Sequence, residues 1–286
     1  MGAEGGREMT VLTHAFPAQT DRALELLIEA AQAHQVRLRF DPEETARHRL
    51  AARPGVSVDA PLARAVELCI VLGGDGTILR ALHAYACTQV PVFAVNFGEV
   101  GFLATIEREQ LPGALERAFD RDYRLLELPA IELEVGGALQ RAFNDVAVHR
   151  KAGERVARLA YSLGGEELGS VRCDGLVVAT PAGSTGYNLA NGGPVMAWGV
   201  EGFAISFIAP HSLTARALVA APADQLSVCN RSRSALEIAL DGRPVGELAP
   251  EAELKLRFRD RSGLIAQLPG YSFYGRLREK FGLLAS

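Results

Sequence analysis

The sequence LCIVLGGDGTILRAL, residues 68–82, indicates how the first part of the chain folds. Its first five residues, LCIVL, are apolar without interruption, which is typical of a strand buried on both faces in a parallel sheet. Three glycines and one aspartate follow, and then a threonine and a helix-like segment. Glycines directly after such a strand lie at the carboxyl edge of the sheet, where open α/β folds bind their ligands. The stretch therefore predicts a strand, a ligand loop and a helix.

The composition of this loop predicts a phosphate as its ligand. Glycines lack a Cβ atom and let backbone N–H groups approach an anion, and the following helix offers its positive N-terminal end. The sequence does not match the motifs of two familiar phosphate-binding loops. A P-loop needs a lysine after the glycines, and a dinucleotide fingerprint needs a third glycine where Leu79 stands.

Asp75, in the middle of the loop, has two interpretations. Asp-Gly-Thr is common in tight turns in which the aspartate caps a helix, although Thr77 could cap this helix equally well. A carboxylate beside bound phosphate is repelled unless it holds a metal or accepts a proton. General-base catalysis on a substrate hydroxyl needs such a group. The residues alone leave both interpretations open.

Strands and helices alternate on both sides of this loop. Short strands are predicted at 9–14, 36–40 and 90–96, and a helix at 21–33, so the first part of the chain reads as an α/β domain with a parallel, Rossmann-like sheet. After the amphipathic segment 108–119, short strand-forming segments separated by Gly, Asn, Asp and Pro predict an all-β, sandwich-like domain.

These patterns predict three parts of the chain. The α/β domain that carries GGDGT covers residues 1–125, and the all-β domain covers 126–268. The tail 269–286 returns to helical spacing in SFYGRLREKFG and is expected to pack back on the first domain.

The overall composition argues against several other classes of protein. A net charge of -4 over 286 residues gives no basic footprint for nucleic acid. The four cysteines form no CxxC pair, so reduced thiols in the cytoplasm are the simplest interpretation, and no export signal is predicted. Residues 175–200 carry no charge, but their six glycines would make a poor bilayer helix. We therefore expect no membrane partner.

A second glycine-rich loop follows a strand in CDGLVVATPAGSTGYNLANGGP, residues 173–194. Its small residues permit close approach of a ligand, its hydroxyl and amide groups can donate and accept hydrogen bonds, and Tyr187 can stack on a flat ring. A hairpin loop is the plainer alternative. AGSTG also resembles the nucleophile elbow of hydrolases, with Ser184 as nucleophile and His211 as base. Ala182 replaces the first glycine of that motif, however, and Glu201 is the only acid between Ser184 and His211.

Two shorter motifs complete the set. FNDVAVHR, residues 143–150, brings Asn144 and Asp145 to the start of a strand, where the alternative is a simple turn. NFGEVGFL, residues 96–103, resembles another glycine loop after a strand, and Phe102 in it could lie against a base.

Together and in this order, these motifs resemble those of the NAD kinases, which phosphorylate the 2′-hydroxyl of the adenosine ribose of NAD to give NADP. The resemblance extends from GGDGT at 73–77 through NFGEVGFL, FNDVAVHR and RCDGLVVATPAGSTGYNLANGGP to APHSLTARALV at 209–219 and LDG at 240–242. GGDGT alone is shared with lipid kinases and resembles the phosphofructokinase loop. A diacylglycerol or sphingoid lipid kinase, or a module that binds NAD without turnover, therefore remains an alternative.

The resemblance implies roles for individual residues. Asp75 would accept the proton of the ribose hydroxyl. The phosphates of ATP would lie on Gly73, Gly74, Gly76 and Thr77. The positions that correspond to NAD contacts in the family are Asp75, Gly76, Phe102, Asn144, Asp145, Arg158, Arg172, Asp174, Ala182, Thr185, Gly186, Tyr187, Asn188, Leu189, Ala190 and Arg243. The family usually reads TPTGSTAY where this chain has Ala182 and Gly186.

The resemblance also implies the partners. NAD is a substrate, and ATP would bind with Mg²⁺ or another divalent cation, whose protein ligands the sequence does not identify. A homodimer or homotetramer in the cytoplasm is expected, with an α/β domain followed by a β-sandwich-like domain.

Overall fold

The computed structural model describes residues 6–98 and 101–282. Glu99 and Val100 of the NFGEVGFL motif lie outside the described residues, as do positions 1–5 and 283–286 at the ends of the predicted first and third parts. The chain divides into two compact units. Unit 1 comprises residues 1–127 and 263–286, and unit 2 comprises residues 128–262.

The elements follow one another along the chain as β1 Glu8–Thr13, α1 Asp21–Ala33, β2 Arg37–Arg39, α2 Pro42–His48, β3 Val56–Ser57, β4 Leu68–Gly73, α3 Asp75–Ala84, β5 Val92–Asn96, β6 Ile106–Glu107, α4 Leu111–Phe119, β7 Arg124–Val135, β8 Ala138–Ala142, β9 Asp145–His149, β10 Ala157–Leu163, β11 Glu166–Cys173, β12 Gly175–Ala179, α5 Tyr187–Ala190, β13 Phe203–Ile208, β14 Leu218–Ala220, β15 Gln225–Asn230, β16 Leu236–Leu240, β17 Arg243–Leu248, β18 Glu253–Gln267 and α6 Phe273–Phe281. Short 3₁₀ helices cover Pro17–Gln19, Arg108–Gln110 and Gly183–Thr185.

Unit 1 is built on a parallel sheet. β1 pairs in parallel with β2 and β4, β4 with β5, and β5 with the end of β18, through Ile265 and Ala266. Every residue of β4 and β5 is buried, as their apolar sequences predict for strands covered on both faces. α1 and α4 pack their apolar faces on this sheet, with Leu24, Leu27 and Leu115 among the buried residues of one core cluster.

The order of these strands places a crevice at the GGDGT loop. The chain leaves β1 for β2 on one side and leaves β4 for β5 on the other, so the direction of winding reverses between β1 and β4. In open α/β sheets the crevice at such a reversal, at the carboxyl ends of the strands, is where ligands bind. The carboxyl end of β4 runs directly into Gly74 and Asp75.

Unit 2 is antiparallel. Six strands form one sheet in the order β14-β13-β12-β9-β16-β17, and β11, β10, β15 and the first part of β18 lie side by side in another. Alternate residues of β15 and of the first part of β18 are buried, and one apolar core contains residues from strands of both sheets, among them Val148, Leu226 and Leu256. The predicted fold class is confirmed, with a parallel α/β part and an all-β part.

None of the helices among the described residues is long and apolar enough to cross a membrane.

Candidate active site

In unit 1 the crevice at the strand reversal is a cavity of about 300 Å³. Its lining comes from the end of β1, the glycine loop and the first turns of α3, and consists of Thr13, His14, Ala15, Gly74, Gly76, Thr77 and Arg80. The N-terminal end of a helix and backbone N–H groups favour an anion in such a place. The predicted phosphate loop therefore lines a cavity in which phosphates can be bound.

The glycines of the loop differ in the space around them, and therefore in the reason why each position has no side chain. A Cβ on Gly73 would come within 2.7 Å of two side-chain atoms of Thr77, and a Cβ on Gly74 would come 3.3 Å from Cα of Gly98. Close packing within unit 1 thus selects these two glycines. A Cβ on Gly76 would meet no atom of the described residues within 4 Å outside its own helix. Its lack of a side chain leaves the cavity open to a ligand.

The carboxylate of Asp75 does not cap its own helix. Gly74 occupies the N-cap position of α3, and no side chain donates to or accepts from the cap. Instead, the Asp75 carboxylate accepts hydrogen bonds from the backbone N–H groups of Phe102, at 2.9 Å, and Leu103, at 3.2 Å. The helix-cap interpretation of Asp75 is therefore wrong.

The surroundings of Asp75 tune its basicity. Burial raises the pKa of its carboxyl above the ordinary value, although the backbone N–H groups of Phe102 and Leu103 and the charge of Arg276 act in the opposite direction. A raised pKa makes a carboxylate a stronger base near neutral pH. Gly74 and Gly76, the neighbours of Asp75 in the sequence, line the cavity, whereas the Asp75 carboxylate itself lies against Phe102 and Leu103.

Arg80 supplies the positive charge that the glycine loop itself lacks. It lines the cavity from α3 and donates to the main-chain oxygen of Thr13 and to the carboxylate of Glu44. Glu44 is completely buried and also accepts from the backbone N–H of Thr13 at 3.1 Å and from its hydroxyl at 2.6 Å. Arg80 was not among the predicted site residues; its signal is a cation one turn after the loop, on the helix that the loop begins.

Phe102 contributes to this site through its backbone. Its side chain is only 8% exposed, and its ring packs on the ring of Phe281, with 5.5 Å between the centroids. The ring is thus occupied by a contact within unit 1, whereas the N–H group holds Asp75.

In unit 2 a side chain distant in sequence fixes the Asn144–Asp145 turn. The Asp241 carboxylate accepts hydrogen bonds from the backbone N–H groups of Phe143, Asn144 and Asp145, at 2.7 to 3.0 Å. Asp241 and Gly242 have positive φ and form the tight turn between β16 and β17, as Asp-Gly typically does in hairpins. Asp241 was not among the predicted site residues, although it lies in the LDG motif at 240–242 that forms part of the family resemblance.

The glycine-rich loop of unit 2 packs directly on this turn. A Cβ on Gly183 would lie 2.0 Å from the main-chain oxygen of Asn144. Thr180 reinforces the contact, because its hydroxyl donates to the main-chain oxygen of Phe143 at 2.6 Å and accepts from the N–H of Gly183 at 3.1 Å. Loop and turn therefore form one surface. Within this contact, Oδ1 of Asn144 is buried and has no hydrogen-bond partner among the described residues, so one acceptor of the turn is left unpaired.

Asp145 carries an unusual charge state. Burial, and then the negative charge of Asp241, raise the pKa of the Asp145 carboxyl to about 7. Burial, together with the charges of Asp145 and Asp174, also raises the pKa of Tyr187. Asp145, Asp174 and Tyr187, all predicted contact residues, are thus close enough to interact. The side chain of Tyr187 is also exposed enough to contact a ligand.

Other predicted residues of unit 2 are placed as follows. Ala182 is buried, Thr185 and Leu189 are half-buried, and Gly186, Ala190 and Arg243 are exposed. Asn188 is completely buried, and its Nδ2 donates to the main-chain oxygens of Ser184 and Pro194, which holds the loop in shape. The Asp174 carboxylate binds the guanidinium of Arg150.

Arg158 and Arg172 stand opposite each other on β10 and β11, and both are exposed. Like charges at directly opposed positions of an antiparallel pair are unfavourable unless an anion lies between or beside them. A phosphate group would relieve this repulsion.

The hydrolase alternative does not fit the geometry. Ser184 is completely buried, and its hydroxyl donates to the main-chain oxygen of Pro181 at 2.7 Å and accepts from the N–H of Met196 at 2.9 Å. A hydroxyl used in this way holds the loop together and is not presented to a substrate as a nucleophile.

The raised pKa of Asp145 predicts a pH-dependent stability. In an unfolded chain this carboxyl titrates near pH 3.9. Between about pH 4 and 7 the Asp145 carboxyl is therefore protonated in the folded protein and ionised in the unfolded chain. The contribution of this proton to the free energy of unfolding is complete below about pH 4 and is lost as the pH rises through 7. Asp145→Asn, which cannot ionise, should raise the free energy of unfolding at pH 8 by about 2 kcal/mol.

Urea unfolding of the Asp145→Asn variant and the original protein at pH 5 and pH 8 measures this effect. The stabilisation should be larger at pH 8 than at pH 5. Asp260→Asn, at an exposed carboxylate of the same unit, is the matched control and should show no such difference. A stabilisation of equal size at both pH values would rule out the assigned charge state.

Comparison with known proteins gives the same division of the chain. Residues 14–123 match the family model of the ATP-NAD kinase N-terminal domain, and residues 143–265 match that of the ATP-NAD kinase C-terminal domain. An NAD kinase of Lachnoclostridium phytofermentans is 34% identical over 229 residues, covering 76% of this chain and 80% of that protein. An NAD kinase of Thermomicrobium roseum is 37% identical over 224 residues, covering 76% of each.

Two solved structures share the fold. A yeast NADH kinase complexed with NADH has a TM-score of 0.87 at 22% identity, covering 99% of this chain and 89% of that one. An NAD kinase from Archaeoglobus fulgidus in complex with ATP has a TM-score of 0.74 at 24% identity, covering 96% and 97%. At these identities the likeness concerns the fold.

Proposed function

The chain belongs to the ATP-NAD kinase family, and from that premise we propose that it transfers the γ-phosphate of ATP to the 2′-hydroxyl of the adenosine ribose of NAD, giving NADP. The family makes the chain an enzyme that phosphorylates NAD. It also removes the support for a lipid kinase, because the match extends over both halves of the chain and not over GGDGT alone.

The observation that carries the proposal is the placement of Asp75. Its carboxyl has a raised pKa and does not cap its own helix, and its sequence neighbours Gly74 and Gly76 line a cavity of about 300 Å³. In the proposed step Asp75 accepts the proton of the 2′-hydroxyl, the hydroxyl oxygen bonds to the γ-phosphorus, and the bond to the β-phosphate oxygen breaks to release ADP. Such a base contributes about 10² to 10⁴-fold to the rate.

Unit 1 would bind the donor. The first turn of α3 and the glycines at 73, 74 and 76 offer backbone N–H groups and a positive helix end, and Arg80 adds a cation. Phosphoryl transfer asks mainly for positioning and for neutralisation of charge, which these groups supply. The complex of the Archaeoglobus fulgidus enzyme with ATP supports ATP as the donor.

Unit 2 would bind NAD. Asn144 offers a buried acceptor without a partner among the described residues, Asp145 a carboxylate that ionises near neutral pH, and Tyr187 an exposed ring. The opposed Arg158 and Arg172 fit the pyrophosphate of the dinucleotide. The complex of the yeast NADH kinase with NADH supports a dinucleotide as the ligand.

A divalent cation, Mg²⁺ or another, is proposed to enter with the triphosphate. Mg²⁺ is usually held by substrate phosphates, water and one or two carboxylates. No group of three or more His, Cys, Asp or Glu side chains in residues 6–98 and 101–282 could hold a metal by itself. This fits an ion that arrives on its substrate, where it would neutralise the phosphate charge.

We also propose that the protein works in the cytoplasm as a homodimer or homotetramer. The free thiols of its four cysteines, one of them exposed, suit a reducing compartment.

A panel of donors and acceptors tests the proposed function. The purified protein is incubated with Mg²⁺, NAD or NADH, and ATP, GTP or tripolyphosphate, and products are separated by chromatography. ATP with NAD should give ADP and NADP in equal amounts, and EDTA should stop the reaction. Vesicles of diacylglycerol should accept no phosphate. Folded protein that makes no NADP with any donor would refute the proposal.

A further inference from the structure

The C-terminal helix α6 inserts one charged side chain into unit 1. Arg276 is only 5% exposed, although it is an arginine near the end of the chain. Its Nε donates to the main-chain oxygen of Gly101 at 3.2 Å, and its Nη1 donates to the carboxylate of Glu107 at 2.7 Å. Burying a guanidinium is costly unless it is paired in this way. The two bonds attach α6 to the segment that begins at Gly101.

A second contact attaches α6 to the same segment. The ring of Phe281 lies 5.5 Å from the ring of Phe102, centroid to centroid, at an angle of 40°. Such aromatic pairs are favourable beyond the area that they bury. Arg276 and Phe281 thus hold two consecutive residues, Gly101 and Phe102, from one helix.

This segment is the one that holds the carboxylate of Asp75. Phe102 and Leu103 donate their N–H groups to it, and Gly101 lies so close that a Cβ there would be 2.4 Å from Oδ1 of Asp75. The two hydrogen bonds that this carboxylate accepts from Phe102 and Leu103 therefore come from a segment that α6 contacts. A displacement of about 1 Å at a reacting group can cost about 10²-fold in rate.

We propose that Arg276 is a positioning residue for Asp75, and that α6 acts as a clamp that fixes the orientation of this base through residues 101–103. The inference rests on the proposed function, because it assigns Asp75 the role of proton acceptor. It adds a part of the chain, the C-terminal helix, that contacts neither substrate in that proposal.

The charge of Arg276 also affects the pKa of Asp75. Arg276 is the charged group whose field lowers the pKa of Asp75. Arg276 itself faces Glu107 from β6 and Glu279 from α6, and Lys280 and Asn96 also act on Glu107. Removal of the Arg276 charge should leave less of Asp75 ionised at a given pH, which moves the acid limb of the pH profile of kcat/KM to higher pH.

Arg276→Met, which replaces the aliphatic part of the side chain with one of similar size but removes its charge and its donors, tests the proposal. We expect kcat for NADP formation to fall about 10- to 100-fold, KM for NAD to stay within about threefold, and the acid limb of kcat/KM to move to higher pH. Arg276→Lys keeps the charge but not the forked geometry, so it should restore the position of the acid limb and only part of kcat.

Arg278→Met is the matched control, because it removes one positive charge from an exposed position on the same helix. It should leave kcat and the pH profile unchanged. If the original protein is active and the Arg276→Met and Arg278→Met variants have identical kinetics, the clamp is overturned. If the original protein itself is inactive, the proposed function is refuted instead. If Arg276→Met does not fold, Phe281→Ala decides: we expect kcat to fall about threefold or more without a shift of the acid limb, and an unchanged kcat would overturn the proposal.

Discussion

Asp75→Asn should lower kcat for NADP formation by about 10² or more and leave the affinity for NAD within a few-fold. The amide keeps the size of the side chain and can still accept from one of the two N–H groups of Phe102 and Leu103. It cannot accept the proton of the ribose hydroxyl. The loss should therefore appear in turnover and not in binding.

Steady-state kinetics and calorimetric binding of NAD measure the two quantities. Asp120→Asn, at an exposed carboxylate of unit 1, is the matched control and should keep both kcat and affinity. If the 75 variant kept more than about a tenth of the original kcat, Asp75 would not be the base.

Gly183→Ala should cost about 10²-fold in affinity for NAD. The added methyl group would lie 2.0 Å from the main-chain oxygen of Asn144, a contact that no side-chain rotation can relieve. Such overpacking costs about 3 kcal/mol, which corresponds to about 100-fold in binding if the loop and the Asn144–Asp145 turn separate to relieve it. Thr180, which bonds to both, would lose its geometry as well.

Calorimetric titration with NAD and thermal melting measure this effect. Gly199→Ala is the matched control, because a Cβ there meets nothing within 4 Å in the part of the chain that the structure describes, and it should bind NAD as before. A Gly183→Ala protein that melts and binds NAD like the original would show that the loop and the turn do not form one binding surface.

Local sequence patterns predicted the fold because each depends on neighbouring residues. The uninterrupted apolar run before GGDGT indicated a buried parallel strand, and the apolar spacing after Thr20 gave the helix Asp21–Ala33 with the bounds it has in the structure. The change of period after α4 indicated the all-β part. None of these inferences required knowledge of which distant residues meet.

The partners of the functional side chains could not be predicted in that way. The Asp75 carboxylate accepts a hydrogen bond from Leu103, the Asp241 carboxylate accepts one from Asn144, and Arg276 donates one to Gly101. These pairs lie 28, 97 and 175 residues apart, so no local spacing connects them. Only the packing within each unit shows that Asp75 is not a helix cap and that a hairpin aspartate fixes a binding turn.

We expect this chain to phosphorylate one particular hydroxyl of NAD, and the position of the new phosphate on the product shows whether it does. The protein is incubated with ATP, Mg²⁺ and NAD, and the purified dinucleotide product is analysed by ³¹P NMR. We predict a single new phosphomonoester, coupled to the proton at C2′ of the adenosine ribose. A phosphate on another hydroxyl, or ADP release without a phosphorylated dinucleotide, would contradict it.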